Sequence, residues 1–329
     1  VLLIIMKNKK FMSMLLLSLL LVGCQTNENT SSSSINNKEL SILTPTNAPA
    51  LAFIDQLNND NYSTNSKPNN IALEMIKGTH DIVVVDLIGG LTAIEKQNAP
   101  YKLASVITFG NFYIYATGND ENKTMENEDN IICFGQNTTP DILFKHLYPD
   151  ITVDTYLNGV ADVSPIAASG VINNVEVDYC VIAEPVLYNI LHKKEAPTYG
   201  KGYEYSSFQE LWKNKHANNS SILGASIYIK NDTYKDYSKQ IDEFLDTVSK
   251  NINRYISNPE EVVKIMNDYG STEEQATRIG INSIVAKGVL ENNSVNLGFL
   301  NSKADNFNLI IEEYLNVVKP EIINENNYL

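Results

Sequence analysis

The sequence predicts an α/β protein of two lobes, each a mainly parallel sheet flanked by helices. Three observations carry that expectation. A strand running through a polar turn into a helix recurs along the chain, first at residues 42–51, Ile-Leu-Thr-Pro-Thr-Asn-Ala-Pro-Ala-Leu. The uninterrupted β-branched run between Asp81 and Asp86 reads as a central strand buried on both faces, hence parallel, with helices on either side. A polar stretch at 118–130, whose only large apolar residue is Met125, separates two sets of such units, and a length of 329 residues suits two domains.

Composition narrows the function classes. Hydrophobic residues at 43% and charged residues at 19% are ordinary for a globular chain able to bury a sizeable core. Asp and Glu (39) outnumber Lys and Arg (25), and the net charge of −14 excludes nucleic acid and other polyanions as partners.

At the amino-terminal end, Lys7, Lys9 and Lys10 precede an apolar run from Phe11 to Val22 that closes on Leu21-Val22-Gly23-Cys24. This reads as a secretory signal (1–23) with a lipoprotein box, Gly23 suiting the peptidase and Cys24 carrying the lipid. The competing reading is a transmembrane anchor, for which the run is short of the about 20 residues a span needs. Met6 is the expected start of the signal. Residues 24–37 are polar and Ser-rich and form a tether that holds the body off the membrane. Cys133 and Cys180 sit in apolar, strand-like runs and read as two buried thiols, with a disulfide as the alternative an exported protein allows.

In chain order, Leu40, Ile42 and Thr44 give a first strand. Thr46 or Asn47 caps the next helix and Pro49 opens it, the helix ending near Leu57. Ile71, Met75 and Ile76 place one apolar face on a helix stopped by Gly78. Asp86 leads through Ile88-Gly89-Gly90 into a short helix, with no G-x-G-x-x-G and no Walker lysine to make it a phosphate loop. Residues 103–109 and 112–117 read as two strands of a tight hairpin around Gly110-Asn111. The lobe crossing is expected at 118–130, giving lobe 1 as 38–118 plus 222–329 and lobe 2 as 119–221.

The second set begins with a strand at 131–135, after which Thr139 caps and Pro140 opens a helix to about Leu147. A strand at 153–156, a helix opened by Ser164-Pro165 and a strand at 177–183 closing on Glu184-Pro185 complete it. Ser207-Phe208-Gln209-Glu210 reads as a capping box for the helix that carries Trp212. One more strand at 222–229 precedes a helical remainder. There Ile241, Leu245, Val248, Ile252 and Tyr255 form a core-facing stripe, Asn258-Pro259-Glu260 opens a helix, and 318 ends the last one.

Catalytic patterns are absent. His80, His146, His192 and His216 are scattered without H-E-x-x-H or paired ligand spacing, so neither a metal nor another cofactor is expected. There is no G-x-S-x-G elbow. Asp86 and Glu184 read as caps, hinge residues or partners of a ligand amine rather than as an acid and base pair.

Four segments together carry a resemblance: 41–52, 76–83 (Ile-Lys-Gly-Thr-His-Asp-Ile-Val), 134–141, and 177–185 (Val-Asp-Tyr-Cys-Val-Ile-Ala-Glu-Pro). With the lipoprotein box and the Asn258-Pro259-Glu260 helix start, the chain resembles the solute-binding proteins of ABC importers. The group it is most similar to is the one associated with nitrate, sulfonates, taurine and thiamine-pyrimidine precursors, and the resemblance covers nearly everything after Lys38.

The resemblance implies a type II periplasmic-binding fold and a lipid-anchored monomer at the extracytoplasmic face of the membrane. Such a protein traps a small solute between its lobes by hinge closure and delivers it to an ABC permease and its ATPase, with no chemistry of its own. Carried over by position, the pocket loops are Thr46-Asn47-Ala48, Asp86 to Gly89, Phe109 to Asn111, Gln136-Asn137-Thr138-Thr139, and Glu184. Thr46 and Thr139 also have a purely local reading as helix caps, whereas Gln136 and Asn137 offer more donors and acceptors than a cap needs. Phe109, Phe112, Tyr113 and Tyr188 suit either core packing or stacking on a flat ring. The chain departs from an anion-binding member in one respect: Arg occurs only at Arg254 and Arg278, and no candidate loop carries Lys or Arg. A sulfonate held by helix N-termini remains one option; a neutral, zwitterionic or heterocyclic solute fits at least as well. The rival readings are an enzyme of the thiamine-pyrimidine-synthase-like fold and a sensor module presenting ligand to a membrane receptor.

Overall fold

The computed structural model describes residues 37–192, 202–216 and 221–329. The apolar run, Cys24 and the tether up to Asn36 lie outside the described residues. Among the described helices none is long and apolar enough to cross a membrane.

The first sheet opens with β1 (Ile42–Pro45), which passes through Thr46 and Asn47 into a 3₁₀ helix, Ala48–Gln56. β2 (Tyr62–Asn65) pairs parallel to β1 at its outer edge. α1 (Pro68–Lys77) ends on Gly78 in the left-handed conformation and leads to β3 (Ile82–Asp86), parallel to β1 on its other side. Ile82, Val83 and Val84 are wholly buried, the both-faces burial that the β-branched run predicts. α2 (Leu87–Gln97) and β4 (Tyr101–Thr108) follow.

The chain then leaves this sheet. β5 (Phe112–Ala116) pairs with strands of the second sheet and not with β4, so the hairpin expected around Gly110-Asn111 does not form. The Gly-Asn turn carries a sheet-to-sheet crossing, which moves the crossing from 118–130 to 109–111. The polar stretch 118–130 instead folds onto the second sheet. Lys123 Nζ reaches Asp129 at 2.6 Å and Asp178 at 2.7 Å, and the Asn130 N–H donates to Asp178 at 2.9 Å.

The second sheet continues with β6 (Ile131–Phe134), α3 (Thr139–Leu147), β7 (Thr155–Leu157) and α4 (Val160–Ser169). Pro165 lies inside α4 and does not open it. A small hairpin, β8 (Val171–Ile172) and β9 (Val175–Glu176), precedes β10 (Tyr179–Ala183) and α5 (Val186–His192). β11 (Tyr203–Ser207) and α6 (Phe208–Lys215) complete this half. The return strand β12 (Ala225–Lys230) inserts between β3 and β4, antiparallel to both. α7 (Asn231–Ser257), α8 (Pro259–Tyr269), α9 (Thr272–Ile279) and α10 (Ser283–Glu291) follow, then the edge strand β13 (Leu297–Asn301) and α11 (Phe307–Val318). β13 corrects the expectation of a wholly helical remainder; it pairs antiparallel with β4.

The sheet orders are β13-β4-β12-β3-β1-β2 and β11-β5-β10-β6-β7. In the first, β1 to β4 run one way and only β12 and β13 oppose them; in the second, only β5 runs against the rest. Each opposed inner strand, β5 and β12, is the one the chain enters just after changing sheets. One apolar cluster joins the halves, holding Val83 and Tyr314 with Ile114, Val181 and Trp212. Cys133 and Cys180 are buried, free thiols, so the disulfide alternative falls away.

Candidate functional site

The strand ends gather the candidate loops in two places. At the end of β3, Asp86 caps α2, its Oδ1 accepting from the Gly89 N–H at 2.8 Å. The same oxygen accepts from the Thr139 hydroxyl of α3 at 2.7 Å, a bond between elements of the two halves. From sequence alone Thr139 is the expected cap of α3. In the structure Thr138 takes that position without a side-chain cap bond, its hydroxyl turned back to the Gly135 carbonyl, and Thr139 is left free to reach Asp86. A Cβ on Gly89 would lie 2.4 Å from Asp86 Oδ2, so the close approach needs glycine there. Tyr314, fully enclosed beside this junction, has its ring 5.3 Å from Trp212 of α6, and burial followed by the Asp86 charge pushes its phenol well up.

Around that junction the other loops differ in exposure. Gln136, Asn137 and Thr138 are exposed, and the Asn137 N–H donates to Asp141 Oδ2 at 2.7 Å. Asp141 is buried and also receives the Lys145 ammonium at 2.9 Å and the Tyr156 hydroxyl at 2.7 Å. Burial alone would raise its carboxyl, and these bonds outweigh it and hold it below the usual range. The Thr46–Asn47 loop is propped by α9: the Asn47 N–H donates to the Ile279 carbonyl at 2.7 Å, and Asn47 sits at φ 70°. Asn47 occupies the N-cap position of the 3₁₀ helix, yet its side chain does not cap. Ala48 is packed in the apolar cluster beneath that helix. No hydrogen bond among the described residues links this loop to Asp86 or Glu184.

The second gathering is a cavity of about 360 Å³. One wall comes from the second half: Tyr113 (β5), Glu184 at the end of β10, Tyr188 and His192 (α5), Glu204 and Ser207 (β11), and Gln209, Glu210 and Lys213 (α6). The facing wall is the loop from Asn292 to Asn296, between α10 and β13 of the first half. The two walls touch where the Tyr113 hydroxyl donates to the Ser294 carbonyl at 2.6 Å. At the crossing itself, Asn296 Nδ2 donates to the Gly110 carbonyl and the Phe109 N–H to the Asn296 carbonyl at 2.9 Å. The Glu184 N–H donates to the Asn111 carbonyl at 3.0 Å, which brings two of the candidate loops together.

Glu184 is 5% exposed and its Oε2 accepts from the Tyr188 N–H at 2.9 Å, capping α5. Burial pushes its carboxyl up; the bonds from Tyr188 and Ser294 oppose that, and the Glu204 charge adds to it. Glu204 is pushed up by burial and by Glu210, though it stands partly open to solvent at the mouth. Of the four aromatic candidates, Phe112 packs on Phe134 and Phe208, and Phe109 packs against Gly298. Tyr113 and Tyr188 line the cavity, the Tyr188 ring stacked on His192 at 3.9 Å.

Sequence reasoning missed most of this cavity. Ser207 and Glu210 carry the spacing of a capping box, but Ser207 makes no side-chain cap bond and both residues line the cavity. The only signal from the facing loop is its run of short polar residues, Asn292-Asn293-Ser294 and Asn296. Among the described residues no three His, Cys, Asp or Glu side chains cluster as a metal site.

No protein-family model matches the chain, and no curated protein does. Solved structures do. An ABC transporter structure from Parabacteroides distasonis is 17% identical, with 88% of this chain and 98% of that one covered, at a TM-score of 0.64. The periplasmic aliphatic sulphonate binding protein of Escherichia coli is 13% identical over 89% and 92%, at 0.62. The periplasmic nitrate-binding protein of Synechocystis is 11% identical over 84% and 80%, at 0.59. At such identities the likeness is one of fold, and it agrees with the two mixed sheets and the opposed strand each receives at a crossing: the chain has the two-lobed fold of the periplasmic binding proteins.

Proposed function

We propose that this protein captures a small organic solute between its two lobes and delivers it to an ABC permease, without chemistry of its own. The observation that carries the reading is the cavity itself. Its volume is in the range of small-molecule sites, and it is walled by Tyr113, Glu184 and Ser207 from one lobe and the Asn292–Asn296 loop from the other. A solute lying there touches both lobes and favours the closed arrangement that a permease reads. Asp86 and Thr139 supply a second, direct bond across the lobes. Gln136 and Asn137 are exposed and make no side-chain hydrogen bond among the described residues, which supports keeping them as candidate contacts to the solute.

The lipoprotein box at Leu21-Val22-Gly23-Cys24 places the protein, in this reading, on the outer face of the membrane, tethered by lipid as a monomer. Cys24→Ser is then expected to release it into the soluble fraction, while full membrane retention favours an anchor. For the capture itself, thermal-shift and native mass spectrometry screens of the folded protein against amines, amino acids, pyrimidines and sulfonates test the reading. At least one class raises the melting temperature in a concentration-dependent way; no response from any class contradicts capture.

A further inference from the structure

We propose that His146 and His216 form an acid-sensitive latch: one hydrogen bond holds the end of α3 to the end of α6 beside the Trp212–Tyr314 contact between the lobes, and a second added proton on the pair opens it. His146 stands in the last turn of α3, and His216 caps the C-terminal end of α6. Their Nε2 atoms lie 2.7 Å apart, with ring centroids 4.9 Å apart and planes 19° from parallel. A centroid separation that large for so short a contact puts both nitrogens on the line between the rings. That is an in-plane hydrogen bond, one Nε2 donating and the other accepting. Zinc binds imidazole nitrogens at about 2.0–2.1 Å, so such an ion does not fit on that line in a 2.7 Å gap, whereas a proton does.

The proton count decides the state of the latch. Two neutral rings keep the bond, and so does a pair with one added proton, because one Nε2 still offers a lone pair. With a second added proton both Nε2 atoms carry hydrogen, the bond is lost and two positive charges face each other. The surroundings disfavour that charge. Burial, then Lys215 and His216, lower the His146 value; burial, then Lys215, lower that of His216. The Lys215 ammonium donates to the His146 carbonyl at 2.5 Å, so a positive charge already occupies the end of α3. The other titratable groups on these helices are engaged elsewhere or open to solvent. Lys145 pairs with Asp141, Lys213 and Glu210 line the cavity, Glu312 acts on Tyr328, Glu313 is exposed, and the Tyr314 phenol is pushed well up. The folded pair therefore resists protons that the unfolded chain takes up near the ordinary histidine value of about 6.5. Its contribution to stability is full above that value and is lost as pH falls below it. Trp212, the only tryptophan of the chain, reports the event: its ring lies 4.2 Å from His216, 5.5 Å from His146 and 5.3 Å from Tyr314 of the other lobe.

The test follows Trp212 emission and the urea midpoint of the whole folded protein from about pH 7.5 to about pH 5, in wild type, His146→Gln and His216→Gln. A glutamine amide both donates and accepts, so each variant keeps a partner for the remaining imidazole in either of its states. In the wild type the emission shifts and the urea midpoint falls in one transition centred below about pH 6.5. The radius of gyration in X-ray scattering rises across the same transition, and both variants flatten all three signals. A wild type without a transition, or a transition that survives in both variants, overturns the latch; a transition at constant radius overturns its link to the lobes. Imidazole NMR of the unaltered protein gives a second reading that needs no variant. Two of the four histidines are expected to titrate as a coupled pair below the ordinary value, and four independent titrations overturn the proposal.

Discussion

Replacing Thr139 with valine removes one hydroxyl and keeps the shape of the side chain. The site is 4% exposed, so no water takes the place of the hydroxyl, and the Asp86 carboxylate loses the only side-chain donor among the described residues that reaches it from the other lobe. A hydrogen bond to a charged acceptor contributes about 1.5–3 kcal/mol. Asp86 Oδ1 keeps the Gly89 N–H at 2.8 Å, which places the expected loss at the lower end, about 1.5 kcal/mol. Urea unfolding measures this as a lower midpoint at unchanged slope. Because the bond joins the lobes, Thr139→Val also populates a more open form, seen as a larger radius of gyration in X-ray scattering. A double-mutant cycle with Asp86→Ala isolates the pair, with a coupling of about 1 kcal/mol or more. Coupling near zero with an unchanged radius would refute the role given to this bond.

Further predictions concern burial, charge and close packing. Glu184 has its carboxyl raised by burial, so the folded state binds its proton more tightly than the unfolded one. Stability therefore falls as pH rises through the interval above the ordinary glutamate value of about 4.3, and Glu184→Gln, which keeps an oxygen for the Tyr188 N–H, flattens that part of the profile; a wild-type slope in the variant would contradict the assignment. Asp81 behaves with the opposite sign. Burial raises its carboxyl, but bonds from Lys38, Thr233 and Ser41 outweigh it and depress the value, so its contribution is full above about pH 4 and is lost as pH falls through the depressed value. Asp81→Asn is accordingly less stable at pH 7 and less acid-sensitive, as read by denaturant midpoints across pH 2–7. Gly288→Ala sets a Cβ 2.1 Å from the Tyr188 ring where α10 meets α5, and a cost of about 1–3 kcal/mol is expected in thermal melts. Gly118→Ala, with nothing within 4 Å, serves as the neutral control.

The parts of the fold legible in the sequence are those where one local signal has one outcome. The β-branched run ending at Asp86 has no face to show water, and the stripe of Ile241, Leu245, Val248, Ile252 and Tyr255 packs inward as its spacing requires. The Gly110-Asn111 turn was not legible, because a left-handed glycine serves a hairpin and a sheet crossing equally. The choice is made by β10 and β11, which pair with β5 from far along the chain. β2, β11 and β13 are short edge strands with mixed burial and leave no clean alternation to read.

Among the site residues, the hydroxyls misled for a related reason. Thr139 and Ser207 stand where caps are expected, and only the tertiary structure shows that one turns to Asp86 and the other makes no cap bond and lines the cavity wall. Asp86 and Glu184 were legible as caps because that role depends on the next four residues alone.

The central claim, capture of a solute between the lobes, is tested most directly by a crystal structure of the protein with the tightest ligand from the screens. The account predicts that ligand in the cavity between Glu184 and the Asn292–Asn296 loop, touching both lobes. A ligand bound to one lobe only, or seated away from that cavity, would contradict it.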